Sequence, residues 1–259
     1  MQRFWEVDSL RGIAVIAMVA FHAFFDLNLF AGYSFQLTQG ALLGLGRFAA
    51  IAFVSLAGLS LTLSYNKAKT KLNNSQLLKK FLKRGTKIFL LGLVITAFTL
   101  LFFPQGAIWF GVLHLIGAAT IIGLPFAKKP RASLFFFGKK SLGKMASHCS
   151  ASLFLGIAII LAGVFAEGIF TASPWLLWLG LKPFGFTSFD YFPLLPWLGI
   201  FLLGIFAGNC LYPEAKRKFA VKDYSQNAAI SFLCFLGRNS LLIYFLHQPV
   251  LVAAILLLA

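Results

Sequence analysis

The chain has 259 residues, 59% of them hydrophobic and 12% charged, with 31 phenylalanines and a mean hydropathy of +0.86. A soluble domain has about 25% charged residues and needs polar side chains to cover its surface, so this composition excludes a soluble globular protein, and it excludes a disordered chain as well. The net charge of +16 suggests topology rather than nucleic acid, because Lys and Arg of a membrane protein gather in cytoplasmic loops.

A spanning helix needs about 20 mostly apolar residues. Seven segments qualify: 10–30, 41–64, 88–103, 107–126, 151–170, 191–211 and 240–258. The third is short and is expected to begin near Phe81, with Lys83, Arg84 and Lys87 snorkelling toward the headgroups. Segments 132–137 and 174–179 are too short to span and are expected to be interfacial or re-entrant. The expected fold is an all-α polytopic membrane helical bundle of about seven transmembrane helices. It forms one domain over residues 1–259, with neither an internal repeat nor a separate soluble part. The first apolar run is too long for a cleavable signal.

The basic residues fix the expected orientation. Lys67, Lys69, Lys71, Lys79, Lys80, Lys83, Arg84 and Lys87 lie between or at the inner ends of the second and third spans. Lys128, Lys129, Arg131, Lys139, Lys140 and Lys144 lie between the fourth and fifth. Lys216, Arg217, Lys218, Lys222 and Arg238 precede the seventh, and Arg3 and Arg11 precede or open the first. With seven spans these all share one side, which leaves only Arg47 and Lys182 on the other. The N-terminus is therefore expected in the cytoplasm. The basic loops are read as anchors on the bilayer, with no nucleic acid partner. Cys149, Cys210 and Cys234 show neither paired spacing nor metal-ligand spacing, so no disulfide framework and no metal site are expected.

Ionisable groups inside spans are costly and mark function by default. The first span and its lead-in hold Asp8, Arg11, His22 and Asp26. Eleven residues are about three helical turns, so Arg11 and His22 share one stripe about 16 Å apart. Asp8 and Asp26 lie close to that stripe, and Asp8 can pair with Arg11 at i+3. Asp26, one turn beyond His22, is positioned to accept an imidazole N–H, fix its tautomer and leave the other nitrogen as a base. The pattern suggests a path from a cytoplasmic arginine to a buried histidine.

Other spans add candidates. Arg47 follows Gly44 and Gly46 at the outer start of the second span, where it could pair with Asp26 or meet an acceptor. His114 lies in the fourth span, Asp190 marks the outer entry of the sixth, and His148 sits in a basic loop without an expected role. The seventh opens with Gly237-Arg238-Asn239-Ser240, where Asn239 or Ser240 can cap a helix. Tyr244, His247 and Gln248 follow, and any of them could donate to a developing oxyanion. Pro249 frees a backbone carbonyl one turn back.

The stretch Trp5-Glu6-Val7-Asp8-Ser9-Leu10-Arg11-Gly12-Ile13-Ala14, with His22 and Asp26-Leu27 after it, resembles the start of the heparan-alpha-glucosaminide N-acetyltransferase catalytic-domain family. The likeness continues through Phe48–Leu61, Gly111-Val112-Leu113-His114-Leu115-Ile116-Gly117, the Asp190-Tyr191-Phe192-Pro193 segment, and Gly237-Arg238-Asn239-Ser240 with Tyr244 and His247-Gln248-Pro249. It covers essentially the whole chain and is similar to the prokaryotic members.

The resemblance implies a transmembrane acyltransferase of a prokaryotic cytoplasmic membrane. Its implied donor is a cytoplasmic acyl-CoA, acetyl-CoA above all, and its implied acceptor is a sugar amine or hydroxyl on the far side. The family's eukaryotic enzyme has a catalytic histidine before its second span, whereas residues 31–40 here contain none. The reacting histidine is thus expected to be His22, as general base or acyl carrier, with Asp26 beside it. Arg11, Asp8, Arg238 and Asn239 are the expected coenzyme site. Arg47, His114, Asp190, Tyr244, His247 and Gln248 are the expected acceptor site. Heparan sulfate itself does not carry over as acceptor, and a homo-oligomer is compatible with the sequence. Two alternatives use the same residues: a transporter or flippase for a sugar or acyl carrier, and a haem protein with one histidine pair.

Overall fold

The structure is a computed structural model that describes residues 4–128 and 143–258, without the side chains of 143–150. The segment 132–137, and Arg3, Lys129, Arg131, Lys139 and Lys140, fall outside the described residues. The described chain is helical, and its only strand-like feature is an isolated bridge between Phe170 and Lys182. The helices are α1 (Trp5–Phe30), α2 (Gly40–Ala68), α3 (Asn74–Phe102), α4 (Val112–Ile122), α5 (Leu124–Ala127), α6 (Gly143–Ala166), α7 (Leu194–Leu211), α8 (Ala228–Arg238) and α9 (Ser240–Leu258). Among them α1, α2, α3, α7 and α9 are long and apolar enough to cross a membrane. The protein is a polytopic membrane helical bundle.

The helix ends follow from local chemistry. α3 starts seven residues before Phe81, at a capping box in which Asn73 Oδ1 accepts from Gln76 N–H at 2.9 Å and Gln76 Oε1 accepts from Asn73 N–H at 3.1 Å. Lys79, Lys80, Lys83, Arg84 and Lys87 therefore lie on the same continuous helix as the apolar run. The segment 107–126 is not one long helix. α4 starts only at Val112 and ends at Ile122; Gly123 separates it from the single turn of α5, whose Pro125 has no N–H to continue the α4 ladder. His148 falls within α6 rather than in a loop.

The chain divides into two compact units. One comprises Met1–Leu56 with Val221–Ala259, and the other Ala57–Ala220. In the first unit α1 packs against α8 and α9. The sequence reading did not include α8, because its 11 residues are too few to span. Asn227 Oδ1 caps it, accepting from Ala229 and Ile230 N–H at 3.0 and 3.3 Å. Two glycines set its distance from α1. A Cβ on Gly12 would run into the Leu233 carbonyl, and one on Gly237 into the Asp8 carbonyl, so backbone meets backbone at both points. In the second unit α6 packs on α7 and α3 on α4. Phe81, Leu115, Phe201, Leu202 and Ile205 are fully buried there.

Candidate active site

The first unit gathers most of the expected polar residues into two clusters on α1. The first lies at the helix start. Asp8 Oδ1 is 3.4 Å from Arg11 Nη1, and Asp8 Oδ2 is 3.3 Å from Arg238 Nε. Arg11 Nη1 also donates to the Gly237 carbonyl at 3.4 Å. Close packing at Gly12 and Gly237 brings the end of α8 to α1, so a residue 230 positions away joins the expected i+3 pair. One carboxylate between two guanidiniums holds planar N–H forks of the kind suited to phosphate oxygens. Asn239 takes a different role, because its Nδ2 donates to the Phe235 carbonyl at 2.9 Å and closes the α8 C-terminus.

The second cluster lies about three helical turns further along α1. Asp26 is buried, and His22 is half-buried. Asp26 was expected to accept directly from the His22 ring. Instead Gln248 of α9 stands between them. Only one amide orientation satisfies every partner. Gln248 Nε2 donates to Asp26 Oδ1 and Oδ2 at 3.2 and 3.1 Å, and its carbonyl oxygen accepts from His22 Nδ1 at 2.9 Å. The carboxylate thus fixes the amide, and the amide fixes the ring. His22 has its proton on Nδ1 and its lone pair on Nε2.

His247 lies beside this chain. Its ring centroid is 5.0 Å from that of His22, at an interplanar angle of 60°. A carbonyl oxygen can only accept, so the 2.8 Å contact of His247 Nδ1 with Tyr244 O puts the proton on Nδ1. The lone pair then sits on Nε2, which is buried without a hydrogen-bond partner. Burying an unpartnered polar atom costs about 1–3 kcal/mol. Two of the three expected oxyanion donors are therefore engaged elsewhere: the Gln248 amide donates to Asp26 and the His247 N–H to the Tyr244 carbonyl. The Tyr244 ring packs at 5.6 Å from His247. Arg47 is exposed on α2, one residue beyond Gly46, where an added Cβ would meet Phe21 at 2.8 Å.

Two expected acceptor residues, His114 and Asp190, belong to the second unit and bond to the start of α4. His114 Nδ1 accepts from Gly111 N–H at 3.2 Å, so the proton lies on Nε2, 3.4 Å from Thr96 Oγ1. Thr96 Oγ1 donates onward to the Ile108 carbonyl at 2.6 Å. Asp190 Oδ2 accepts from Val112 N–H at 3.0 Å. Together these two side chains satisfy backbone donors at the α4 start, which would otherwise be orphaned. No group of three or more His, Cys, Asp or Glu among the described residues is arranged to hold a metal ion.

Sequence reasoning missed the bridging place of Gln248, although it named the residue. The signal was a polar amide next to Pro249, in a span whose other polar residues are His247 and Tyr244. Which helix it faces is a tertiary fact that spacing along α9 does not contain.

No curated protein and no solved structure matches the chain. The family described as "Heparan-alpha-glucosaminide N-acetyltransferase, catalytic" matches residues 3–147 and 144–249. The protein therefore belongs to the heparan-alpha-glucosaminide N-acetyltransferase catalytic-domain family, a family of membrane acyltransferases.

Proposed function

We propose that the protein transfers an acetyl group from cytoplasmic acetyl-CoA to a sugar amine or hydroxyl on the opposite side of a prokaryotic cytoplasmic membrane. His22 is the reacting imidazole, as general base or acyl carrier. Arg11 and Arg238, held by Asp8, receive the phosphates of the coenzyme, and Arg47 serves the acceptor side. The basic loops orient the N-terminus toward the cytoplasm.

The observation that carries this reading is the bridge from Asp26 through Gln248 to His22 Nδ1. It holds the ring rigidly by one nitrogen and leaves the other as a lone pair, the arrangement a base or nucleophile needs. Two arginines stand about three turns back on the same helix system. The axial separation of Arg11 and His22, about 16 Å, is of the order of the extended arm between the CoA phosphates and its thioester.

Coenzyme A supplies the activated thioester. Arg11 and Arg238 bind its phosphates, Gln248 keeps His22 in one tautomer, and Asp26 stabilises the positive ring that forms during transfer. The test uses purified protein in lipid nanodiscs with acetyl-CoA labelled in the acetyl group. His22→Ala is expected to fold normally, judged by its unfolding midpoint, and to lose CoA release and label transfer. Wild-type transfer by this variant overturns the role of His22.

A further inference from the structure

A reaction that uses His22 alone leaves one buried group without a task. The His247 Nδ1–H is engaged by the Tyr244 carbonyl at 2.8 Å, and its Nε2 lone pair is buried with no partner. A histidine kept for packing engages both nitrogens, as His114 does with Gly111 and Thr96. His247 engages one, and its ring lies 5.0 Å from the ring of His22. Gln248 commits the His22 proton to Nδ1. Two neighbouring imidazoles are thus locked in the same tautomer, each with its lone pair on Nε2.

We propose that the two histidines divide the reaction, with His22 carrying the acyl group and His247 acting as the catalytic base that takes the proton of the acceptor. This rests on the acyltransferase reading above and extends it to a second catalytic residue. In the first half the His22 Nε2 pair attacks the thioester carbon. The N–C bond forms, the C–S bond breaks, and CoA leaves as a thiolate that takes a proton from cytoplasmic water. The acylated ring keeps its Nδ1 proton on Gln248, with Asp26 behind it.

In the second half the acceptor X–H attacks the acyl carbon. The X–C bond forms, the N–C bond breaks with its pair returning to His22 Nε2, and the proton passes from X to His247 Nε2. His22 cannot take that proton, because its only lone pair is in the bond being broken. His247 then gives the proton to water, which balances the one taken by CoA.

The test separates the two halves. Full-length protein in nanodiscs is mixed with label-bearing acetyl-CoA and no acceptor, and discharge is then followed to water or to added glucosamine. Wild type is expected to release CoA in a burst and retain the label on the protein. Removing a general base costs about 10²–10⁴-fold in the step it serves, so His247→Leu is expected to keep the burst within about three-fold while discharge slows at least about 100-fold. His247→Gln retains a polar acceptor that takes up no proton, and it is expected to be equally slow in discharge. His22→Ala is expected to show neither burst nor label.

Loss of the burst together with discharge in His247→Leu, unchanged discharge in that variant, or restored discharge in His247→Gln overturns the role of His247. Turnover by wild type without a burst or label overturns the division while leaving the acyltransferase reading standing. Wild type that releases no CoA under any condition overturns the acyltransferase reading itself.

Discussion

Each unit of the molecule buries histidine in apolar surroundings, and the two solve its hydrogen bonding in opposite ways. In the second unit His114 has both ring nitrogens engaged. Nδ1 accepts from Gly111 N–H at 3.2 Å and Nε2 lies 3.4 Å from Thr96 Oγ1, so the proton sits on Nε2. In the first unit His22 and His247 carry the proton on Nδ1, held by a side-chain amide and a backbone carbonyl, and both put their lone pairs on Nε2. Burial alone therefore says little about function. His114 is the more completely buried ring and has the less reactive arrangement, because its polar atoms complete a helix start. What separates the settings is whether a lone pair is left over once the fold has been satisfied.

Mutation at each histidine tests that distinction, and the largest effect is expected at His22. Its replacement by Ala is expected to abolish CoA release and label transfer, with little change in unfolding midpoint. His114→Ala is expected to do the reverse. It removes the acceptor for Gly111 N–H and leaves a cavity, together about 3 kcal/mol of destabilisation, while the protein that remains folded turns over at nearly the wild-type rate. Denaturant unfolding in detergent, run beside an assay of CoA release, separates the two. A His114 variant with a normal midpoint but no activity breaks the comparison.

Next in size is the bridge. Gln248→Leu removes the group that fixes the His22 tautomer, and Asp26→Asn removes the charge behind it. A hydrogen bond to a charged group contributes about 1.5–3 kcal/mol, so each is expected to slow transfer by about ten- to a hundred-fold. The ¹⁵N resonances of His22 add a second readout. The proton is expected on Nδ1 in the wild type and released from that nitrogen in Gln248→Leu. The double variant is expected to be little worse than either single one, because both act through one contact.

A third prediction concerns the seam that unites the arginine cluster. Gly237→Val forces a side chain toward the Asp8 carbonyl. Overpacking of this kind costs about 1–3 kcal/mol, and it is expected to separate Arg238 from Asp8 and so raise the KM for acetyl-CoA more than it lowers kcat.

Much of this was legible in the sequence because the membrane imposes long apolar periods. Five of the expected spans appear as helices long enough to cross, and the Asp8, Arg11, His22, Asp26 stripe lies on one helix as its spacing required. Local spacing also gave the Asp8–Arg11 pair. What escaped were contacts between helices. α8 is too short to register as a span, and its glycine-mediated approach to α1 depends on which backbone lies opposite. The direct Asp26–His22 bond was a sound reading of i+4 geometry, yet a Gln from a helix more than 200 residues later took the place between them. The bonds of His114 and Asp190 to the start of α4 were not legible either, because the orphan donors there are invisible until that helix is found to begin at Val112.

The smallest effect is expected at Arg238. Its side chain is the more exposed of the two arginines on Asp8, 45% against 19% for Arg11. Exposed ion pairs contribute about 0–1 kcal/mol to stability, so Arg238→Gln is expected to leave the unfolding midpoint nearly unchanged. Its importance lies in the net charge of the cluster. Its removal takes one positive charge from beside Asp8 and Arg11. A polyanionic donor meets that difference directly, so Arg238→Gln is expected to weaken acetyl-CoA binding by a few-fold, and by less as salt rises and screens the charge. Asp8→Asn in the same assay sharpens the point. It removes the negative charge between the two arginines and is expected to tighten donor binding at low salt, although it removes a group that holds them in place. If Asp8→Asn and Arg238→Gln shift the KM in the same direction, Asp8 serves to position the arginines rather than to set their charge.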